Sequence, residues 1–366
     1  MSKFGSGNIS VSVYKVEPLY MSGDDLIKYL EDKCLLIEGI EEETRIGWSS
    51  RYPGDTDFRH ADLITDKEAL FMYVKGSRKA SESAVKAQCQ RMEIQCMEEQ
   101  GVSMLSRRRK NEIKADIVAA LSKSAPISYS STEVYYSFEE GYLIIESTSI
   151  PVCDSIIAYL METFPVEGYP CMVGNMCPTY SSNDHEPLDL RVEDVSDGLE
   201  DNEMVMARDF LMWLWYINEN VGTVGVTIYG NTHSVAIGIS GPLQFVNEGA
   251  GGAHKVRVDK GLPTLASEAN KALGNGKKLQ KAKIDLALGD DIYSFTFDAD
   301  KTCYSGLKLP DGEAMSRMDR IAERAGMIIQ LNEIITQLVN TFAAFVNEYS
   351  NRQDMAEWAA SRATCN

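Results

Sequence analysis

Positive charge is what this 366-residue sequence has too little of: 36 Lys and Arg stand against 54 Asp and Glu, a formal net charge of −18. Such a balance excludes general adhesion to nucleic acid or to anionic membrane. It leaves room for a local basic surface, because fields from exposed charges fade within a Debye length of roughly 8–10 Å. Long apolar runs are also missing. The longest, FLMWLWYI at 210–217, falls far short of the roughly 20 residues that a membrane-spanning helix needs. The opening MSKFGSGNIS has no apolar stretch of the signal-peptide kind. Histidine is scarce, and the four present, at 60, 185, 233 and 254, form neither HxH nor HxxxH. The eight cysteines, at 34, 89, 96, 153, 171, 177, 303 and 365, form no CxxC pair and no regular spacing. They read as reduced thiols, several in apolar periodic stretches where they act as small hydrophobes. Together these absences predict a soluble, cytoplasmic chain with no metal site and no cofactor.

What is present is globular. Apolar residues make up 44% and charged ones 25%, enough for a core without disulfide or metal staples. ISVSVYKV at 9–16 alternates and predicts a strand, as does ALFMYVK at 69–75. A short helix is expected at 24–34, and two more over about 83–100 and 106–122, with Gly101 interrupting between them. VYYSF (134–138) and YLIIEST (142–148) flank a short EEG turn and read as a hairpin, before a helix at 154–164. The second half opens with an apolar helix at 204–219. Strands follow at TVGVTIY, HSVAIGI, PLQFV, HKVRV, AKIDLAL, IYSFTFD and YSGLKL, with a helical stretch near 264–273. One long helix over about 313–349 ends the pattern. Strands and helices cluster and do not alternate strictly, which predicts an α+β fold with antiparallel sheets and packed helices in two lobes. Residues 178–204 hold nine acids against the single base Arg191 and read as a solvated connection. The expected domains are therefore 1–177 and 205–366, joined by 178–204.

Two basic clusters stand out against this background. Arg107, Arg108, Arg109 and Lys110 are consecutive, Lys114 follows one turn later, and Lys123 lies near the helix end. Successive helical residues sit 100° apart, so the four cannot all face one way; Ile113 and Ile117 mark the core side. A solvated helix start, with Glu112 and Asp116 as pairing partners, is the plain alternative. The second cluster, KALGNGKKLQKAK at 271–283, carries Lys271, Lys277, Lys278, Lys281 and Lys283 and no acid. On a strand, Lys281 and Lys283 share one face while Ala282 and Ile284 share the other. Segregated positive surface of this kind suits non-specific phosphate contact. Aromatics are not interleaved with it, which disfavours base stacking, and no helix-turn-helix or zinc-finger spacing points to sequence readout. NEGAGGAHK (247–255) lacks GK[ST] and precedes a strand, so it reads as a hairpin tip. The acids of 178–204 make no case for a nuclease site. In the last helix, Ile328, Leu331, Ile335, Leu338, Phe342 and Phe345 follow a heptad spacing, which serves either the chain's own sheet or a subunit contact.

VSVYKV, the IGW at 46–48, ALFMYVK and above all KNEIKADIVAALSKSAPIS followed by TEVYYSFEEGYLIIESTS resemble the RdgC recombination-associated family. The likeness covers roughly 9–170 and returns more weakly in GKKLQKAKIDLAL. It implies a DNA-binding protein without sequence preference, a ring-shaped homodimer around duplex DNA in the nucleoid, and restraint of RecA-type recombinase. No catalytic residue is expected. The family resemblance also makes Pro126, Ile127 and Tyr129, after the basic helix, candidates for the dimer interface, to which the seam residues Ile328, Leu331 and Ile335 are added. In this family an aromatic often stands where this chain has Pro126. Two rival readings stay open: an acidic protein-interaction module acting on recombination proteins, and a metal-dependent exonuclease.

Overall fold

The computed structural model describes residues 3–35, 44–78, 80–183, 185–188, 202–247, 254–259 and 262–364. In chain order, strand β1 (Ile9–Val16) leads to helix α1 (Gly23–Asp32) and strands β2 (Thr44–Ser49), β3 (Leu63–Ile64) and β4 (Glu68–Arg78). Helices α2 (Glu82–Gln100) and α3 (Arg107–Ser124) follow, then β5 (Ile127–Ser137), β6 (Tyr142–Ile145), α4 (Ile150–Thr163) and β7 (Gly168–Pro170). Next come α5 (Asn202–Asn220), β8 (Thr223–Ile228), β9 (Asn231–Val246), β10 (Lys255–Val258) and α6 (Ser267–Gly274). The chain closes with β11 (Lys278–Leu288), β12 (Asp291–Asp298), β13 (Cys303–Lys308), α7 (Arg317–Val346) and α8 (Tyr349–Thr364). The fold is α+β with antiparallel strand pairs.

The chain divides into two compact units, Met21–Val134 and Met1–Tyr20 with Tyr135–Asn366. This division does not follow the 178–204 segment. Strand β1 is hydrogen-bonded to both β13 and β6, which draws the N-terminus into the larger unit. Of the acidic segment, 184 and 189–201 lie outside the described residues, as do 248–253 of the glycine stretch and Cys365. The other seven cysteines are free thiols.

In the larger unit the strand order is β10, β9, β11, β12, β13, β1, β6, with β8 paired to β9 and β7 to β1. The two strands expected around Pro242 are one strand, β9. Its register with β11 shifts between Lys281 and Lys283, and the irregularity lets a proline sit inside a paired strand. The expected terminal helix is α7, and a further helix that the sequence pattern did not predict, α8, follows after Asn347 and Glu348. The heptad-spaced Ile328, Leu331 and Ile335 are fully buried, and Phe342 packs against Phe210 and Trp213 with ring centroids 5.8 Å apart in each case. This seam fills the unit's own core. Those three side chains are not exposed to a partner, which corrects their reading as an interface.

The turn between β5 and β6 shows why EEG punctuates the hairpin. Gly141 has φ of 66°, and a Cβ there would lie 2.4 Å from the Val16 carbonyl oxygen. A left-handed conformation and a close backbone approach thus coincide at one residue. Gly141→Ala is expected to cost about 1–3 kcal/mol or more, read as a lower urea midpoint with an unchanged slope. An unaltered midpoint would show that the turn relaxes freely.

In the smaller unit, β4 pairs with β2 and β3. Trp48 is fully buried edge-on to Phe71 and Tyr73, at 5.0 and 5.8 Å. Leu26, Ile27 and Leu30 form the buried face of α1, and Ser22 caps it by accepting the Asp25 N–H. Helices α2 and α3 share a small cluster of their own: Val85, Cys96, Leu105, Ile113 and Ile117. Most of their remaining surface is open to solvent.

Candidate nucleic-acid interface

Helix α3 starts where its sequence says it should. Ser106 is the N-cap, its Oγ accepting the Arg109 N–H at 3.2 Å, and Gly101 closes α2 just upstream. With Ile113 and Ile117 fixed inward, every cation of the helix is left exposed. Their partners then divide them. Arg108 and Arg109 straddle Glu112, each at 3.1 Å, and Lys110 Nζ meets Glu93 Oε2 of α2 at 2.8 Å. Arg109 also turns toward Cys96 of α2; that thiol and Glu112 raise the guanidinium's pKa above its usual value. Arg107, Lys114 and Lys123 make no ion pair among the described residues. Arg107 and Lys114 lie two turns apart, about 10 Å along one face. They form the free positive edge of the helix.

Composition gave no warning that α2 contributes. Lys86, exposed and without an ion pair among the described residues, lines a groove with Val85, Cys89, Lys114 and Val118. Arg91 is likewise exposed. Both sit in an ordinary mixed-charge stretch, so only the packing of α2 on α3 singles them out. Pro126 and Tyr129 are exposed and Ile127 is partly covered. The Tyr129 ring lies over Gly76, close to where a Cβ would stand.

The second cluster, in the larger unit, does not present five free lysines. Lys271 is exposed, and Lys281 and Lys283 share the partly exposed face of β11 while Ala282 and Ile284 are buried. Lys281 Nζ is held by Asp298 at 2.7 Å. Lys277 and Lys278 are only 6% and 4% exposed. Lys278 Nζ points at Asp209 Oδ1, 2.5 Å away on α5. The opposite carboxylate oxygen, Oδ2, lies 2.8 Å from His185 Nε2 and accepts the Leu188 N–H; His185 Nδ1 meets the Tyr180 hydroxyl at 2.9 Å. Burial pushes the Asp209 carboxyl up, but Lys278, His185 and the Leu188 N–H outweigh it and hold the pKa below the usual range. Lys278 is thereby removed from the candidate surface, since a lysine enclosed by the core and neutralised there offers no charge to a polyanion, and Lys277 is removed by its burial.

Among the described residues, no three His, Cys, Asp or Glu side chains converge as a metal site. No helix among them is long and apolar enough to cross a membrane. No curated protein matches the chain. Residues 9–174 match the sequence model of the RdgC family, whose description reads "Putative exonuclease, RdgC". That span takes in β1, the basic helix α3 and the β5–β6 hairpin, the elements that carry the resemblance in the sequence. Over this span, a little under half of its length, the chain is similar to the RdgC family.

Proposed function

We propose that the protein binds duplex DNA without sequence preference, as a ring-shaped homodimer that restrains RecA-type recombination in the nucleoid, and that it cleaves nothing. The observation that carries this reading is the free edge of α3. Arg107 and Lys114 share that edge, exposed and unpaired among the described residues of a chain of net charge −18 and inside the span that matches RdgC. Lys123, on the opposite side of the helix, is a third unpaired cation among those residues. Nearby carboxylates answer every other cation of that helix, so these three are the ones free to displace counterions from a phosphate backbone. Lys271 and Lys283 offer further positive surface. An enclosed basic surface inside an acidic exterior would focus attraction inward and discourage a second duplex outside.

The test is a salt titration of binding to two unrelated duplexes, run beside a mass measurement of the free protein. The expected result is equal affinity for both, a log–log slope of about −0.9 per phosphate contacted, and twice the chain mass. No binding at low salt, with direct capture of a recombinase, would favour the acidic interaction module. End-labelled duplex is expected to survive incubation with magnesium or manganese, and steady loss of label would overturn the non-catalytic part.

A further inference from the structure

At the N-terminal end of α7 the larger unit has an open pocket of about 340 Å³, walled by the loop before β1, the end of β13 and the first turns of α7. That is the lower end of the range for small-ligand sites, about 300–1,000 Å³, and suits a small anion. Three cations line it, Lys308, Arg320 and Arg324, against two carboxylates, Asp311 and Glu323. None of the three cations makes an ion pair among the described residues. Arg324 donates from Nε to the Phe4 carbonyl at 2.8 Å and from Nη2 to the Gly7 carbonyl at 2.6 Å. Arg320 only grazes the Ala314 carbonyl at 3.5 Å. Glu323 is committed to backbone, its two oxygens accepting the Glu313 and Ala314 N–H groups at 2.8 and 3.2 Å.

Burial, and then the charge of Arg320, lowers the Arg324 pKa. Arg320 and Arg324 therefore repel each other on the wall of a polar pocket whose carboxylate Glu323 is turned to backbone N–H groups. Holding the N-terminal loop accounts for Arg324 but not for Arg320 or Lys308, which are exposed and bind nothing firmly. An anion with several acceptor oxygens would relieve the repulsion and use the planar forks of both arginines.

We propose that this pocket binds a phosphate group through Arg320, Arg324 and Lys308, from inorganic phosphate or from a nucleic-acid chain. The site does not depend on the duplex-binding role given to α3. Calorimetric titration of the full chain with inorganic phosphate, at constant ionic strength in chloride, should give saturable binding. Arg320→Ala and Lys308→Ala, both at exposed positions, should weaken it by at least about tenfold each, the scale of one lost charge-assisted hydrogen bond. Arg107→Glu with Lys114→Glu should leave it unchanged, which separates this site from the α3 surface. Absence of phosphate binding, or binding that neither pocket substitution alters, overturns the proposal. Duplex affinity of the two pocket variants then identifies the source. A parallel fall marks a nucleic-acid phosphate as the occupant, and unchanged duplex affinity marks the free ion.

Discussion

Reversing two charges on α3, Arg107→Glu with Lys114→Glu, is expected to abolish duplex binding while leaving the fold intact. Both side chains are exposed and unpaired among the described residues, so the change removes no internal ion pair. Surface substitutions of that kind usually move stability by no more than about 0.5 kcal/mol. Binding responds differently. Each phosphate contact contributes about eightfold at 0.1 M salt, by the slope of about −0.9 per contact. In the proposed dimer the double variant removes four contacts, a loss of about 4 × 10³-fold before the new repulsion is counted, and the salt slope shallows by about 3.6. Arg108→Glu with Arg109→Glu serves as the comparison. Those two already share Glu112, and reversing them is expected to weaken binding less. Binding unaltered by the first variant, measured by anisotropy at several salt concentrations, would remove α3 from the interface.

The contrast between these pairs marks how far the sequence could be read. Helix α3 is legible because its cap, its Ile113–Ile117 stripe and the glycine before it are all local features. The alternation of β1 and the EEG turn are local too, and both elements stand where the pattern places them. Availability of charge is not local. Lys110 is answered by Glu93, seventeen positions earlier and on another helix, which a count of basic residues cannot see. The same limit explains Lys278. A run without acids looks like open positive surface, yet its countercharge, Asp209, lies on α5, which packs against β11. The α7 seam misled in the opposite sense. Heptad spacing over two and a half repeats describes any helix with one strongly apolar face, and here all of that face but the half-buried Phe345 is covered by its own unit. Helix α8 went unread because only Met355 and Ala359 of its sixteen residues are buried, too few to leave a periodic signal.

The buried pair predicts the largest change in stability. Lys278→Met keeps an unbranched stem of similar length but leaves the Asp209 carboxylate enclosed, with only His185 and the Leu188 N–H to answer it. Removing one partner of a buried ion pair costs about 3–5 kcal/mol, because the remaining charge has neither water nor counter-ion. The pH dependence gives the test its sign. In the native protein Asp209 is held below its unfolded value, so it contributes stability above the unfolded carboxylate pKa of about 3.9, and that contribution is lost as pH falls through the folded value. Without Lys278 the desolvation that pushes the carboxyl up is no longer outweighed in the same measure. The folded pKa rises, and protonation then relieves the site. The deficit of Lys278→Met relative to the native chain should therefore be largest near pH 7 and shrink as pH falls toward the carboxylate range. Adding Asp209→Leu to it should recover part of the loss, since two apolar side chains leave no charge unpaired, although the Leu188 N–H then lacks its acceptor. Urea unfolding at pH 7 and pH 5 reads all three proteins. A single variant as stable as the native chain at pH 7 would mean that Lys278 is not what compensates the buried carboxylate, and that the lysine is free to turn outward after all.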